Sequence, residues 1–318
     1  MKKSIITLLT GVIALAFFLT GCRPTTVPPT PSKLYVVNLA DTVTFFNAGT
    51  RDYLNGTLDD STFATGTDSY HVAVNPANNT LYVTNSGSNT VTIYNAETGG
   101  YINGTLAASI FATGVFPFGV TVNPGAARLY IANSTSNTVT FFDADTGAYI
   151  NGTLAASSFA TGSAPRCVAV NSTANVLYVT NEGSEYVTFL NATTGAYING
   201  TLAASSFATG GGGPCGVAVN PSTDIVCVAN YWSNTVTFFN ATTGAYLNGT
   251  LAASNIPSGE GPYGTTVDPA AGIFYVGNFF ENSITRFDAA TGTYANGTLA
   301  ASTFTTGSNQ PRGIAFKP

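Results

Sequence analysis

The chain has 318 residues, of which 44% are hydrophobic and only 8% charged, against about 25% charged in ordinary soluble domains, so its surface must be built from uncharged polar groups. Thirty-four Gly and fifteen Pro, with few of the Lys and Glu that helix surfaces rely on, argue against long helices. Ten basic against fifteen acidic side chains leave no phosphate-reading surface and speak against nucleic acid as a partner, and a single His excludes chemistry built on several imidazoles.

The first element is a leader. Met1-Lys2-Lys3 is basic, and Ile5 to Phe18 is apolar apart from Thr7, Thr10 and Gly11. This run is short of the roughly 20 residues of a membrane-spanning helix and suits the hydrophobic stretch of a signal peptide. Leu19-Thr20-Gly21-Cys22 resembles the bacterial lipobox. That resemblance implies cleavage after residue 21 and lipidation of Cys22, hence attachment to a membrane through the lipid. Arg23 follows, with no Asp after the Cys. By the sorting rule of such lipoproteins this implies the outer membrane of a Gram-negative envelope, or the outer face of the plasma membrane in a Gram-positive one. Residues 22–32 hold the lipidated Cys and four prolines (Pro24, Pro28, Pro29 and Pro31), an extended, semi-rigid tether. Loss of residues 1–21 leaves 8 basic against 15 acidic side chains, a net charge of −7, so acyl chains rather than charge must hold the chain to an anionic bilayer.

Residues 33–318 are self-similar. Tyr-Ile-Asn-Gly-Thr-Leu, or a close variant, begins at Tyr53, Tyr101, Tyr149, Tyr197, Tyr246 and Tyr294, with spacings of 48, 48, 48, 49 and 48. A second marker keeps the same beat: Leu-Tyr-Val-Val-Asn ends at Asn38, and its counterparts end at Asn85, Asn133, Asn181, Asn230 and Asn278. Such a period means stacked supersecondary units. The fourth copy predicts strands over 167–171, 176–181 and 186–191 and a weaker one over 206–209, with turns between them. The Asn-Gly of Tyr197–Leu202 between apolar flanks predicts a tight hairpin. Four short strands per unit and no amphipathic helix predict an all-β chain, a six-bladed β-propeller of four-stranded blades. Stacked blades bury both faces of each sheet, which accounts for runs as apolar as Val-Thr-Phe-Phe.

The Leu-Tyr-Val-Thr-Asn strands, mostly preceded by a form of Gly-Val-Ala-Val-Asn-Pro (cleanest at 216–221), resemble the YVTN repeats of bacterial surface and lactonase-like β-propellers. The resemblance covers nearly all of 33–318 and implies the fold; its members include binding modules and enzymes alike. This chain departs from them in a longer segment between the third and fourth strands, and in six copies rather than the seven common in the enzymes. The first copy starts at Lys33 without a Gly-Val-Ala-Val strand, and the chain finishes with Gly313-Ile-Ala-Phe-Lys-Pro318. The expectation is a ring closed by this C-terminal strand pairing into the first blade, which leaves no open sheet edges.

Blade topology puts the loops between second and third strands on the same ring face as the connections between blades. The nearly copied Ala-Thr-Thr-Gly-Ala-Tyr-Ile-Asn-Gly-Thr-Leu-Ala-Ala-Ser segment reads as scaffold, whereas that face varies. The residue leading into each innermost strand is in turn Tyr70, Phe118, Arg166, Cys215, Tyr263 and Arg312, and these six should ring the channel mouth. The second-to-third-strand loops diverge as well, with Glu182 and Glu185, then Tyr231-Trp232, then Phe279-Phe280-Glu281. Aromatic platforms with forked guanidinium groups suit a glycan, a peptide or protein, or a carboxylated small molecule.

Other motifs carry less. His71 stands where other copies have Gly119, Gly216, Gly264 and Gly313, and a lone imidazole is more often simply hydrogen-bonded than a base or a ligand. Asp143-Ala-Asp145 resembles part of a calcium loop, but other copies read Asn-Ala-Thr and Asp-Ala-Ala, which fits a capped turn. Cys167, Cys215 and Cys227 are an odd set read as free thiols, Cys227 being a buried replacement for the strand Tyr. The resulting expectation is a lipid-anchored, non-catalytic binding module of the cell envelope, with no cofactor and no metal. The alternative is a lactonase- or lyase-like propeller enzyme with His71 and Glu182 or Glu260 as acid/base groups or ligands of the divalent ion that related enzymes hold.

Overall fold

The computed structural model describes residues 15–17, 33–38, 40–48, 50, 52–307 and 311. They form six antiparallel four-stranded sheets, each from consecutive stretches of chain with the strands paired in sequence order. The fourth sheet, Pro165–Asn171, Val176–Asn181, Tyr186–Asn191 and Ser206–Ala208, follows the predicted strands closely. The innermost strands of the second to sixth sheets are Ser69–Asn75, Pro117–Asn123, Pro165–Asn171, Pro214–Asn220 and Pro262–Asp268, and each packs beside the next.

Sheet stacking explains the repeated residues. Every residue of Thr80–Asn85, Val176–Asn181 and Ile225–Asn230 is buried. The core clusters bridge neighbouring sheets, as where Tyr82 and Ile93 meet Leu129, Ile131 and Phe142. Each fully buried large apolar side chain contributes about 1.5–3 kcal/mol. The Tyr of the Leu-Tyr-Val-Thr-Asn strand also donates a hydrogen bond into the next sheet: Tyr35 to the Ala96 carbonyl (3.0 Å), Tyr82 to Ala144 (2.5 Å), Tyr130 to Ala192 (2.7 Å) and Tyr178 to Ala241 (2.8 Å). Where Cys227 replaces this Tyr, the Thr223 hydroxyl takes over and donates to the Ala289 carbonyl at 2.7 Å. The Asn that ends the strand donates to two hydroxyls of the third strand, as Asn85 does to Thr90 (3.0 Å) and Thr92 (2.9 Å).

One expectation needs correction. The Asn-Gly elements form no two-stranded hairpin. Tyr197 makes a single bridge to Leu190, and the chain then folds into a loop locked by its own side chains. The Asn199 amide N–H donates to Ser205 Oγ (2.9 Å) and its side chain donates to the Ala204 carbonyl (2.8 Å). This loop anchors the preceding sheet, since the Tyr197 hydroxyl donates to the Ala160 carbonyl at 3.1 Å. Local side-chain acceptors thus outcompete a second strand.

The first sheet takes its fourth strand from the N-terminal stretch of the chain. Leu15–Phe17, within the expected leader, holds the innermost position beside Lys33–Asn38. Ala16 faces Tyr35, as Ala73 faces Tyr82 and Ala169 faces Tyr178 in their sheets. Residues 313–318, expected in that position, lie outside the described residues, as does the lipobox with Cys22. Asp143 Oδ1 accepts from the backbone N–H of Asp145 (3.1 Å) and Thr146 (2.9 Å), the capped turn expected there.

Candidate functional site

The varying loops meet on one face, as expected. Backbone hydrogen bonds knit each second-to-third-strand loop to the connection before its sheet: Glu182 N–H to the Ala164 carbonyl (2.9 Å), Tyr231 to Gly213 (2.9 Å) and Phe279 to Gly261 (2.8 Å).

Beneath these loops each innermost strand of the second to sixth sheets carries a bulge in which two residues face one on its partner. Pairing passes from Ser69↔Asn85 to Val72↔Val83, from Pro165↔Asn181 to Val168↔Val179, and from Pro214↔Asn230 to Val217↔Val228. The bulged pairs are Tyr70-His71, Arg166-Cys167 and Cys215-Gly216, and Phe118-Gly119 and Tyr263-Gly264 repeat the pattern. Such bulges re-aim side chains. Where the second strand carries Thr before its final Asn, the hydroxyl ties two of these bulges together: Thr180 Oγ1 accepts from Cys167 N–H (3.0 Å) and donates to the Cys215 carbonyl (2.9 Å) of the next sheet. Thr84 does the same between His71 and Phe118 (3.1 and 2.9 Å). A Cβ on Gly119 would stand 2.5 Å from the Arg166 carbonyl oxygen, so only Gly lets these strands approach.

The outcome is a cavity of about 210 Å³ lined by Tyr70, Arg166, Glu182, Cys215, Tyr231, Trp232, Tyr263 and Phe279. Arg166 organises it. Its guanidinium carbon lies 3.8 Å above the Phe118 ring, Nη1 is 3.1 Å from Glu182 Oε2, and Nη2 donates to the Tyr263 hydroxyl at 3.4 Å. Burial opposes its charge, but Tyr263 and Glu182 outweigh burial and hold its pKa above the ordinary value. Burial in turn pushes the Tyr263 hydroxyl upward, partly offset by Arg166. Tyr231 is the aromatic hub, with ring centroids 4.5 Å from Trp232, 5.6 Å from Tyr263 and 6.2 Å from Phe279. Trp232 is 65% exposed. It lies over Gly213, where a Cβ would meet its Cδ1 at 2.2 Å and φ is +67°. The run Gly210–Gly213 is thus in part the seat of this indole.

Seven of the eleven ligand-binding candidates therefore line one cavity: Tyr70, Arg166, Cys215, Tyr231, Trp232, Tyr263 and Phe279. Phe118 does not ring the mouth as expected; it is buried and forms the floor under Arg166, in ring contact with Tyr70 at 3.9 Å. Phe280 is exposed beside Tyr231 (5.6 Å), and Glu281 accepts from Ser283 Oγ (3.1 Å); neither lines the cavity. Arg312 lies outside the described residues. Glu182, one of the varying loop residues and an acid/base candidate of the alternative reading, also lines the cavity. The signal for its place was the opposite charge of Arg166 and Glu182 at two loop positions that share a face. Glu260, the other carboxylate candidate, is exposed and does not line the cavity.

The His71 ring stacks on Tyr70 (5.6 Å, 8° between planes) and sits 5.0 Å from Phe118. Burial, and then the Arg166 charge, push it down to about 4. Burial raises the Cys167 thiol to about 11, with Arg166 opposing, and raises Cys215 as well. The Cys215 thiol donates to the carbonyls of Pro262 (3.4 Å) and Tyr263 (3.5 Å) and so braces the next sheet. Among the described residues no three His, Cys, Asp or Glu side chains come together as ligands of a metal ion. A cation between His71 and Glu182 would also face the Arg166 guanidinium, so these residues do not fit the divalent ion of the related enzymes.

Residues 20–150 and 150–318 match the family described as Lactonase, 7-bladed beta-propeller. The chain belongs to this family. It departs from the family's description in blade number, since its described residues form six sheets. A comparison with curated proteins finds no match. Among solved structures the chain is similar to Kuenenia stuttgartiensis hydrazine synthase, at 18% identity and a TM-score of 0.50 over 81% of this chain and 93% of that one. It is also similar to the structure of U3-55K, at 9% identity and a TM-score of 0.63 over 80% and 73%. Likeness at these identities is one of fold, and this fold carries many functions.

Proposed function

We propose that the chain is a six-bladed propeller lipoprotein of the cell envelope that binds a ligand, without converting it, in the aromatic cavity at the channel mouth. The observation that carries the binding reading is the convergence of five aromatic rings on the Arg166–Glu182 pair, on the face where the repeats differ. Concave aromatic walls with a few fixed polar groups are the usual form of a small-ligand site. In the proposed envelope form, Cys22 carries the lipid, residues 22–32 act as the tether, and residues 313–318 close the ring on the first blade once residues 1–21 are gone. Metabolic labelling with a palmitate analogue tests the anchor: incorporation is expected in the wild type and lost in Cys22→Ala.

The family match favours a second reading, lactone hydrolysis at the same mouth. That chemistry needs a base near the acyl carbon. Glu182 is the one carboxylate lining the cavity, and it is held by Arg166 at 3.1 Å. Incubation of the full chain with a panel of sugar and acyl lactones separates the readings. The binding reading expects consumption at the buffer rate, whereas turnover lost in Glu182→Gln overturns it.

A further inference from the structure

We infer that the ligand is a neutral sugar, with one pyranose ring held in the cavity as the end or edge of a glycan; this rests on the binding reading above. The first argument is size. About 210 Å³ is below the roughly 300–1,000 Å³ of pockets that enclose a drug-sized molecule, so the site takes a single ring.

The second argument is charge. Arg166 is the cation of the cavity lining, and it is already matched by Glu182 at 3.1 Å. A carboxylated or phosphorylated ligand would have to displace Glu182 and leave that carboxylate unpaired beside the incoming anion. A quaternary ammonium would meet the guanidinium. A neutral polyol disturbs neither charge. Side by side, the pair offers a fixed donor and a fixed acceptor, which suits two adjacent hydroxyls: one accepts from the guanidinium while the other donates to the carboxylate. The Tyr263 and Tyr70 hydroxyls add groups that either donate or accept a hydrogen bond.

The third argument is shape. The apolar C–H face of a pyranose packs on a flat exposed ring, and Trp232 supplies one at the rim, with Tyr231 set edge-on behind it at 77°. Phe280, 51% exposed and 5.6 Å from Tyr231, extends the apolar rim beyond the cavity. A second sugar unit would lie there.

Calorimetric titration of the full chain tests this with neutral methyl pyranosides (gluco, galacto, manno and N-acetylglucosamine forms) and with the matching uronic acids. The expected result is saturable binding of at least one neutral pyranoside, with its uronate at least about tenfold weaker. Glu182→Gln and Trp232→Ala should each weaken the neutral sugar, roughly 10- to 100-fold for the lost charged hydrogen bond. Trp232→Phe should retain part of the affinity, which separates stacking from a folding defect. A uronate preferred over its neutral parent overturns the neutral-sugar inference and leaves the binding reading standing. Failure of the whole neutral panel to bind overturns it too. Conversion of a bound compound would instead overturn the binding reading.

Discussion

His71 is the residue whose charge responds most directly to its surroundings. Its pKa in the fold is pushed down to about 4 from an ordinary 6.5, first by burial and then by Arg166. Between these values the unfolded chain takes up a proton that the folded chain refuses, so this contribution to stability is complete above pH 6.5 and is lost as pH falls toward 4. The loss should be on the order of 1–3 kcal/mol. Chemical denaturation at pH 7 and pH 4.5 should therefore show a smaller pH effect in His71→Gln than in the wild type. An equal effect would place the titration elsewhere. Tyr178→Phe is a second residue-scale test. It leaves the buried Ala241 carbonyl without its donor, and should cost about 1–3 kcal/mol. Roles of this kind were only partly legible. The sequence marked Cys227 as a buried substitute for Tyr, but the transfer of its hydrogen bond to Thr223 depends on a contact between neighbouring sheets, about 66 residues away in the chain.

At the scale of the element, the inner-strand bulge sets the site. The repeat placed Tyr70, Arg166, Cys215 and Tyr263 at equivalent positions because period and register are written in the sequence. Phe118 shares that position and is nonetheless buried, because Arg166 stacks on it from the next sheet. Side-chain pairing across sheets overrode positional equivalence there. The Asn-Gly element failed for a related reason: its flanks looked like strands, but Ser205 and its counterparts hold the loop from within. Thr180→Val should release both bulges that this hydroxyl joins. The expected result is a loss of about 1–3 kcal/mol with weaker ligand binding, and an unchanged affinity would detach the bulge from the site. Gly213→Ala tests the indole seat. The added methyl meets Trp232 at a positive φ, so the emission maximum and the affinity should both change, while an unaltered spectrum would contradict the described seat.

The whole molecule is a stack of nearly identical sheets, and the low charge follows from it. Copying one Thr-, Asn- and Gly-rich unit leaves few places for ionised side chains, and Arg166 with Glu182 takes two of them in the cavity lining. Architecture and the common face of the varying loops were legible because they follow from periodicity. Closure by residues 313–318 lies outside the described residues, and in the first sheet Leu15–Phe17 pairs with Lys33–Asn38. If residues 313–318 take that position after leader removal, deleting them from a chain that begins at Cys22 should abolish the cooperative melting transition, and an unchanged transition would refute closure. The account rests most on binding without conversion at the Arg166 cavity. Trp232 is the only Trp, so its emission reports on that cavity alone. Titrating the full chain with neutral pyranosides should give a saturable change in emission, lost in Arg166→Ala, with the sugar recovered intact. A flat emission across the panel, together with catalytic consumption of a lactone that depends on Glu182, would contradict it.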